Sequence, residues 1–206
     1  MNFSSYLKSR PWSYHLTASQ NLKGIRQRGA LLSASNLAVL PSEKAALTVR
    51  RVGHIQMEAA LIRDQNPLRL NHIEFEPGFG FDQLLALLNS LVFFWPGPEA
   101  REKGPIPAGK NHFLRYQSES PVILRALTSD LIAENAHEAL VCRYNSGAPR
   151  TAFGRKSPRG PQMFRPIPDF SGKPDEVKEL AFSGIARLPV STETSDSFCG
   201  SWKPLL

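Results

Sequence analysis

Leu91-Val92-Phe93-Phe94-Trp95-Pro96-Gly97-Pro98 is the stretch that decides the fold class. Five aromatic and branched apolar residues in succession have the content of a strand covered on both faces, and Pro96-Gly97-Pro98 ends it. Just upstream, Asp82 is placed to cap a helix over Gln83 to Leu88, so this strand follows a helix directly. Working outward, Ser13 to Thr17 alternates like a short strand. Ser19 then starts a helix whose Leu22 and Ile25 share a face, and Gly29 ends it. Ala30 to Ser33 reads as a further extended segment. Pro41-Ser42-Glu43 opens a helix that runs to about Arg51, and Met57 to Ile62 reads as a buried strand with Arg63 to Pro67 at its end. Pro121 to Ala126 and Ala139 to Tyr144 read as strands separated by a short helix from Ser129 to about Ala136. Asn145-Ser146-Gly147 is a turn, Ala148 to Pro168 an irregular loop, and Asp175 to Phe182 a closing helix. This succession is an α+β chain with one core, a single domain over residues 1–190 followed by a tail from Ser191 to Leu206.

Composition narrows the function classes. The chain has 206 residues, 41% of them apolar and twelve of them Phe, enough for one substantial core. The formal net charge of +7 draws anions such as phosphates, dinucleotides or nucleic acid. The densest basic group, Arg150, Arg155, Lys156, Arg159 and Arg165, falls among Gly and Pro in the long loop, and reads either as solvated surface or as a contact for phosphate or nucleic acid through Arg155 and Arg159. Two cysteines, Cys142 and Cys199, are too few for a disulfide framework, and MNFSSYLKSRPW has no apolar secretory core, so a cytoplasmic protein is expected. The apolar stretch around residue 90 falls short of the roughly 20 residues that span a bilayer, and no membrane role is expected.

Several chemistries lack their motifs. No Cys pair, no His-Glu-x-x-His and no calcium-type carboxylate series occurs, so no metal is expected. Gly78-Phe79-Gly80 lacks the third glycine of a dinucleotide fingerprint, and no Gly-x-Ser-x-Gly elbow supplies a nucleophile. What remains is a set of polar residues at strand ends: Tyr14-His15-Leu16-Thr17, Arg63-Asp64-Gln65, Asn89 and Asn145-Ser146-Gly147. His15 and Thr17 fall on one side of a strand and are able to reach one ligand together, or else His15 bonds locally and Thr17 starts the next turn.

The order Tyr14-His15-Leu16-Thr17, Asn21-Leu22, Ile25, Gly29, Leu31-Leu32-Ser33 resembles the opening of DarT-type DNA ADP-ribosyltransferases, in which a His-x-Thr strand precedes a helix and a glycine. Ile62-Arg63-Asp64-Gln65 with Pro67, Leu88-Asn89 with Val92-Phe93-Phe94-Trp95, Asn145-Ser146-Gly147 and Pro158-Arg159-Gly160 with Phe164 extend the likeness to an uncharacterised bacterial domain family associated with that superfamily, from about residue 12 to 169. The resemblance implies an ADP-ribosyltransferase-like split central β-sheet flanked by helices, and an enzyme that takes NAD as substrate. Such an enzyme breaks the nicotinamide–ribose bond through an oxocarbenium-like state and passes ADP-ribose to an acceptor, with DNA or RNA preferred over protein. On that likeness His15 and Thr17 bind the ribose or the nicotinamide amide. Phe94 or Trp95 walls a ring, Arg63 holds the pyrophosphate, Asp64 acts as base or steadies Arg63, and Asn89, Asn145 and Ser146 orient the ligand. The superfamily's late-strand glutamate has no clear counterpart; Glu138 is the nearest by order, with Glu134 behind it. Without such a carboxylate, NAD hydrolysis, RNA 2′-phosphate removal or a non-catalytic nucleotide or nucleic-acid binding module acting through Arg150 to Arg165 takes the place of transfer. An antitoxin or immunity protein is a further partner the resemblance implies, and an ordinary domain with a protein partner is the remaining alternative.

Overall fold

The computed structural model describes residues 1–97, 113–135, 139–197 and 201–206. Its helices are α1 (Phe3–Ser9), α2 (Leu22–Arg28), α3 (Ala34–Leu37), α4 (Pro41–Ala46), α5 (Phe81–Asn89) and α6 (Thr128–Glu134). The early strands are β1 (Trp12–Ala18), β2 (Ala30–Leu32), β3 (Ile55–Gln56), β4 (Leu61–Ile62), β5 (Ile73–Phe75) and β6 (Leu91–Gly97). The later ones are β7 (Pro121–Leu127), β8 (Ala139–Cys142), β9 (Ser157–Arg159), β10 (Phe164–Pro166), β11 (Glu179–Ser183), β12 (Ile185–Arg187), β13 (Glu193–Ser195) and β14 (Lys203–Pro204). Eight strands form one antiparallel sheet in the order β10-β8-β11-β6-β1-β7-β13-β14. The chain is therefore a mixed α/β protein built on a large antiparallel sheet, as the α+β reading expects.

The strand at 91–97 is central, and its alternation explains why. Val92 and Phe94 enter one core with Leu180, Phe182, Leu124 and Val141, while Leu91 and Phe93 pack with Leu84, Leu85 and Leu88 of α5. Phe94 meets Phe182 edge to face at 5.8 Å, an arrangement that favours the aromatic quadrupoles. Pro96 does not end the strand, which continues through Gly97. Leu84, Leu85 and Leu88 recur at helical spacing and give α5 its buried face. Its N-cap is Gly80 and not Asp82, with Gln83 accepting from the Gly80 N–H. Gly29 closes α2 with φ of +59°, the left-handed cap a glycine adopts without steric cost.

Four expectations are corrected. Residues 175–182 do not form a helix: a 3₁₀ turn at Pro174–Glu176 leads into β11, which pairs with β6 on one side and β8 on the other. Leu180, Ala181 and Phe182 are buried in succession, and a short apolar run has no periodicity that separates helix from doubly covered strand; the non-local pairing decides it. Met57 to Ile62 is not one strand but the turn and second arm of the β3–β4 hairpin, closed by Met57 N–H donating to the Ala60 carbonyl at 2.9 Å. α4 stops at Ala46, not near Arg51. The Glu43 carboxylate accepts backbone N–H groups of Leu40, Glu58 and Val39 at 3.0, 2.7 and 2.8 Å, which ties this helix to the hairpin and holds its carboxyl below the usual range. The stretch expected as a tail supplies two strands to the sheet: β13 pairs with β7 and β14 with β13, and Leu205 is buried. Arg125 lies between the Trp12 and Trp202 rings, 4.3 and 4.1 Å from their centres, and bonds Glu193.

The loop from 148 to 168 is more regular than its composition suggests. β9 pairs in parallel with β5, and β10 pairs with β8. Between the cavity-lining Ala148 and β9, Ala152 and Arg155 exchange both backbone hydrogen bonds across Phe153-Gly154. Phe153 and Gly154 have φ of +50° and +72°, the pattern of a type I′ turn, in which Asn-Gly is the favoured pair. Phe153→Asn is therefore expected to raise stability in urea unfolding by up to about 1 kcal/mol, because the short amide of asparagine hydrogen-bonds locally in the left-handed region and a phenyl ring does not.

Candidate functional site

β6 changes neighbours halfway along. Its Leu91–Phe94 half pairs with β11, and its Trp95–Gly97 half pairs with β1. The β1–β6 ladder ends at Tyr14↔Trp95, although β1 continues to pair with β7 as far as Ala18. Pro96 has no N–H, so the hydrogen-bonded pairs of this ladder are Trp12↔Gly97 and Tyr14↔Trp95, and in the same register the next hydrogen-bonded pair would join Leu16 to Phe93. Side chains take its place: the His15 imidazole bonds the Phe93 carbonyl at 2.8 Å, and Arg63 Nη1 donates to the Leu16 carbonyl at 2.6 Å. Strands that separate must satisfy their freed backbone groups, and here a histidine and an arginine do so in the wall of a cavity of about 510 Å³.

The Phe93 carbonyl can only accept, so Nδ1 of His15 carries the proton and Nε2 is left as an acceptor. Burial drives the His15 pKa down to about 4, with the Arg63 charge adding to the shift and the Phe93 bond opposing it. The ring is neutral at physiological pH. It packs 5.5 Å from the Phe94 ring. Thr17, on the same side of β1, accepts from Asn21 Nδ2 at 3.1 Å and keeps its hydroxyl proton for another acceptor. The same Asn21 amide spans Leu61, donating to its carbonyl and accepting from its N–H, and so fixes the β4 wall of the cavity.

Arg63 and Asp64 do not pair with each other. Arg63 Nε bonds Glu119 at 3.3 Å and its guanidinium lies 4.4 Å over the Tyr116 ring, whereas Asp64 accepts from Arg115 Nη2 at 2.7 Å and from the Asn66 N–H. Nη2 of Arg63 is sealed from solvent and has no partner, an unspent donor on a charged group. Asn89 serves the frame: it accepts from Arg51 Nη1 at 3.0 Å and Gln65 Nε2 at 3.3 Å, and donates to the Leu47 carbonyl at 2.8 Å. Arg51, at the end of the helix expected from the sequence, is buried against the cavity and hydrogen-bonds no carboxylate among the described residues. Arg28, Arg51, Arg63 and Lys178 line the cavity against Asp64 and Glu179, a balance that suits an anionic ligand.

At the opposite wall, the turn after β8 meets the start of β11. Ser146 donates its backbone N–H to Glu179 Oε1 at 3.0 Å, and its hydroxyl bonds the same carboxyl. Burial pushes the Glu179 pKa up to about 7 against those two hydrogen bonds and the Arg159 charge. Oε2 has neither solvent nor partner. Arg159, expected on an open basic loop, is 1% exposed. Its guanidinium donates to Ser157 Oγ and to the carbonyls of Pro158, Asn145 and Ser146 at 2.6, 2.8, 3.0 and 3.4 Å. These bonds clamp the two ends of the loop together and leave no fork for a surface phosphate.

Nine of the residues singled out from the sequence thus border one cavity: His15, Thr17, Arg63, Asp64, Asn89, Phe94, Trp95, Asn145 and Ser146. Phe94 is core as well as wall, and Trp95 stacks on Tyr14 at 5.9 Å. Arg155 is exposed and away from the cavity, Arg159 is buried behind it, and Glu134 is exposed at the end of α6. Glu138 lies outside the described residues. Glu179 and Arg51 are the residues that sequence reading missed. Reading Leu180-Ala181-Phe182 as a strand would have put Glu179 at a strand end beside the other polar clusters. Among the described residues no group of His, Cys, Asp and Glu is arranged to hold a metal, and no helix is long and apolar enough to cross a membrane.

No curated protein and no solved structure matches the chain. A family model does, over residues 11–190, a span that contains every residue lining the cavity. The chain belongs to the family of unknown function DUF7002.

Proposed function

We propose that the protein is an NAD-dependent ADP-ribosyltransferase whose substrate lies in the opening between β1 and β6, with nucleic acid preferred over protein as acceptor. The observation that carries this reading is the interrupted rung at Leu16 and Phe93, which makes β6 the hinge of a split sheet and puts His15, Arg63 and Thr17 on the edge of the split. The fold is on this reading ADP-ribosyltransferase-like.

The chemistry follows from the side chains. Neutral His15 presents Nε2 to a ribose hydroxyl or to the nicotinamide amide, and Thr17 presents a hydroxyl beside it. The Arg51 guanidinium binds the pyrophosphate, for which a planar fork is suited, and the Arg63 charge beside it adds to the attraction. Glu179 takes the part for which the sequence offered Glu138: its ionised form stabilises, by its charge and not by contact, the positive charge that develops on the sugar. The bond from ribose C1′ to the nicotinamide nitrogen breaks with its electron pair leaving on nicotinamide. The acceptor nucleophile then bonds C1′ and gives its proton to a carboxylate or to water.

Incubation with NAD carrying a labelled adenylate phosphate, together with DNA, RNA or protein from a lysate, tests the proposal. Label is expected on nucleic acid, in a form resistant to protease. Label on protein would move the acceptor class. Nicotinamide release with no label on any acceptor would make the enzyme a glycohydrolase.

A further inference from the structure

The hairpin that leaves the cavity rim after Ala148 carries a side chain that the fold does not use. Phe153 is fully exposed, at 104% of its reference surface, at the tip of the Ala152–Arg155 turn. Its backbone has φ of +50°, a region bulky residues avoid and asparagine fills readily. An aromatic held in a disfavoured conformation with no intramolecular contact to offset it points to use outside the fold. Arg150, Arg155 and Lys156 flank the tip, all exposed and with no acidic partner among the described residues.

The hairpin is held firmly where it begins and ends. The Pro149 carbonyl accepts from His72 Nδ1 at 3.2 Å, β9 pairs with β5, and Arg159 bridges residues 157–158 to 145–146. Asn145, Ser146, Gly147 and Ala148, which border the cavity, run directly into it. The tip is therefore a fixed projection from the rim, hydrophobic at its end and cationic on its flanks.

We propose that this hairpin is a docking finger for single-stranded nucleic acid, in which an unpaired base stacks on Phe153 and the phosphates on either side meet Arg150, Arg155 and Lys156. Aromatic stacking with flanking cations is the chemistry that takes an unpaired strand without reading its sequence. A duplex hides its base faces and offers the ring nothing to stack on. The finger deepens the proposed nucleic-acid acceptor and rests on that reading for its purpose, but binding by the finger is measured without NAD.

The test is anisotropy of a fluorescein-labelled, mixed-sequence single-stranded DNA 12-mer with the full chain, and with Phe153→Asn and Phe153→Trp. Phe153→Asn suits the turn and leaves the fold intact. It is expected to weaken binding about 5- to 150-fold, and Phe153→Trp to retain it. Alanine at both Arg155 and Lys156 is expected to reduce the slope of log affinity against log salt by about 1.4, and the matching duplex to bind more weakly than the single strand. Equal binding by wild type and Phe153→Asn, or duplex binding as tight as single-strand binding, overturns the proposal. So does a dimer in sedimentation that dissolves in Phe153→Asn, which would assign the tip to a second copy of the chain. Nicotinamide release without nucleic acid is expected to be the same in Phe153→Asn as in wild type. Phe153-dependent strand binding in a protein that releases no nicotinamide would keep the finger and remove the enzyme, and His15-dependent release with strand binding indifferent to Phe153 would do the reverse.

Discussion

Glu179→Gln is expected to lower nicotinamide release from NAD by about 100-fold or more, the scale of losing a preorganised charge at the reacting centre, while leaving the protein folded. Wild-type release should rise with pH through about 7 as Glu179 ionises, and the variant should lack this limb. Stability carries a second signature. Because the folded-state pKa is raised, folded protein holds a proton on Glu179 between about 4.5 and 7 that unfolded chain has released. Its contribution is complete below that window and lost as pH rises through it. Glutamine has no such penalty, so at pH 8 the variant should be more stable by on the order of 2 kcal/mol. His15 has the opposite slope: its folded value of about 4 lies below the ordinary 6.5, so its contribution is complete above 6.5 and lost as pH falls toward 4. The two slopes oppose each other over most of this range. Urea midpoints of wild type should therefore vary less with pH than those of Glu179→Gln, in which the His15 slope stands uncovered.

The second large effect is on stability. Arg159→Ala should cost about 3 kcal/mol, because it removes one buried cation that satisfies the carbonyls of Asn145, Ser146 and Pro158 together with the Ser157 hydroxyl. Arg159→Lys should recover little of this, since an ammonium lacks the planar fork that reaches both ends of the loop. An arginine acting as a surface phosphate ligand would behave differently, with unchanged stability and weaker anion binding. Urea unfolding of the two variants separates these roles. Loss of Arg159 should also raise the Glu179 pKa further, because its charge is among the influences that lower it, and so shift the pH limb of any activity upward.

Local signals made part of this structure legible. Leu91 to Trp95 could only be a strand covered on both sides, Gly29 had to end a helix, and His15 with Thr17 had to share a face of β1. Those signals act within a few residues. What was not legible depends on pairing across the chain. Leu180-Ala181-Phe182 becomes a strand because β6 and β8 lie on either side of it, and Glu193–Ser195 becomes one because β7 offers an edge. Glu179 stayed hidden for that reason. Arg159 shows the converse limit: Pro and Gly around an arginine suggest an open basic loop, but the carbonyls of residues 145 and 146 accept from the guanidinium and hold it inside. The site clusters emerged because polar residues at strand ends converge wherever strands meet, and the parting of β1 from β6 gathers them on one cavity.

The proposed occupation of the opening between β1 and β6 by NAD is tested most directly by nicotinamide release from NAD by wild type and by His15→Ala. Release by wild type that falls at least tenfold in a folded His15→Ala variant is the predicted result. Release that is indifferent to His15, or none from folded wild type with or without nucleic acid, would contradict it.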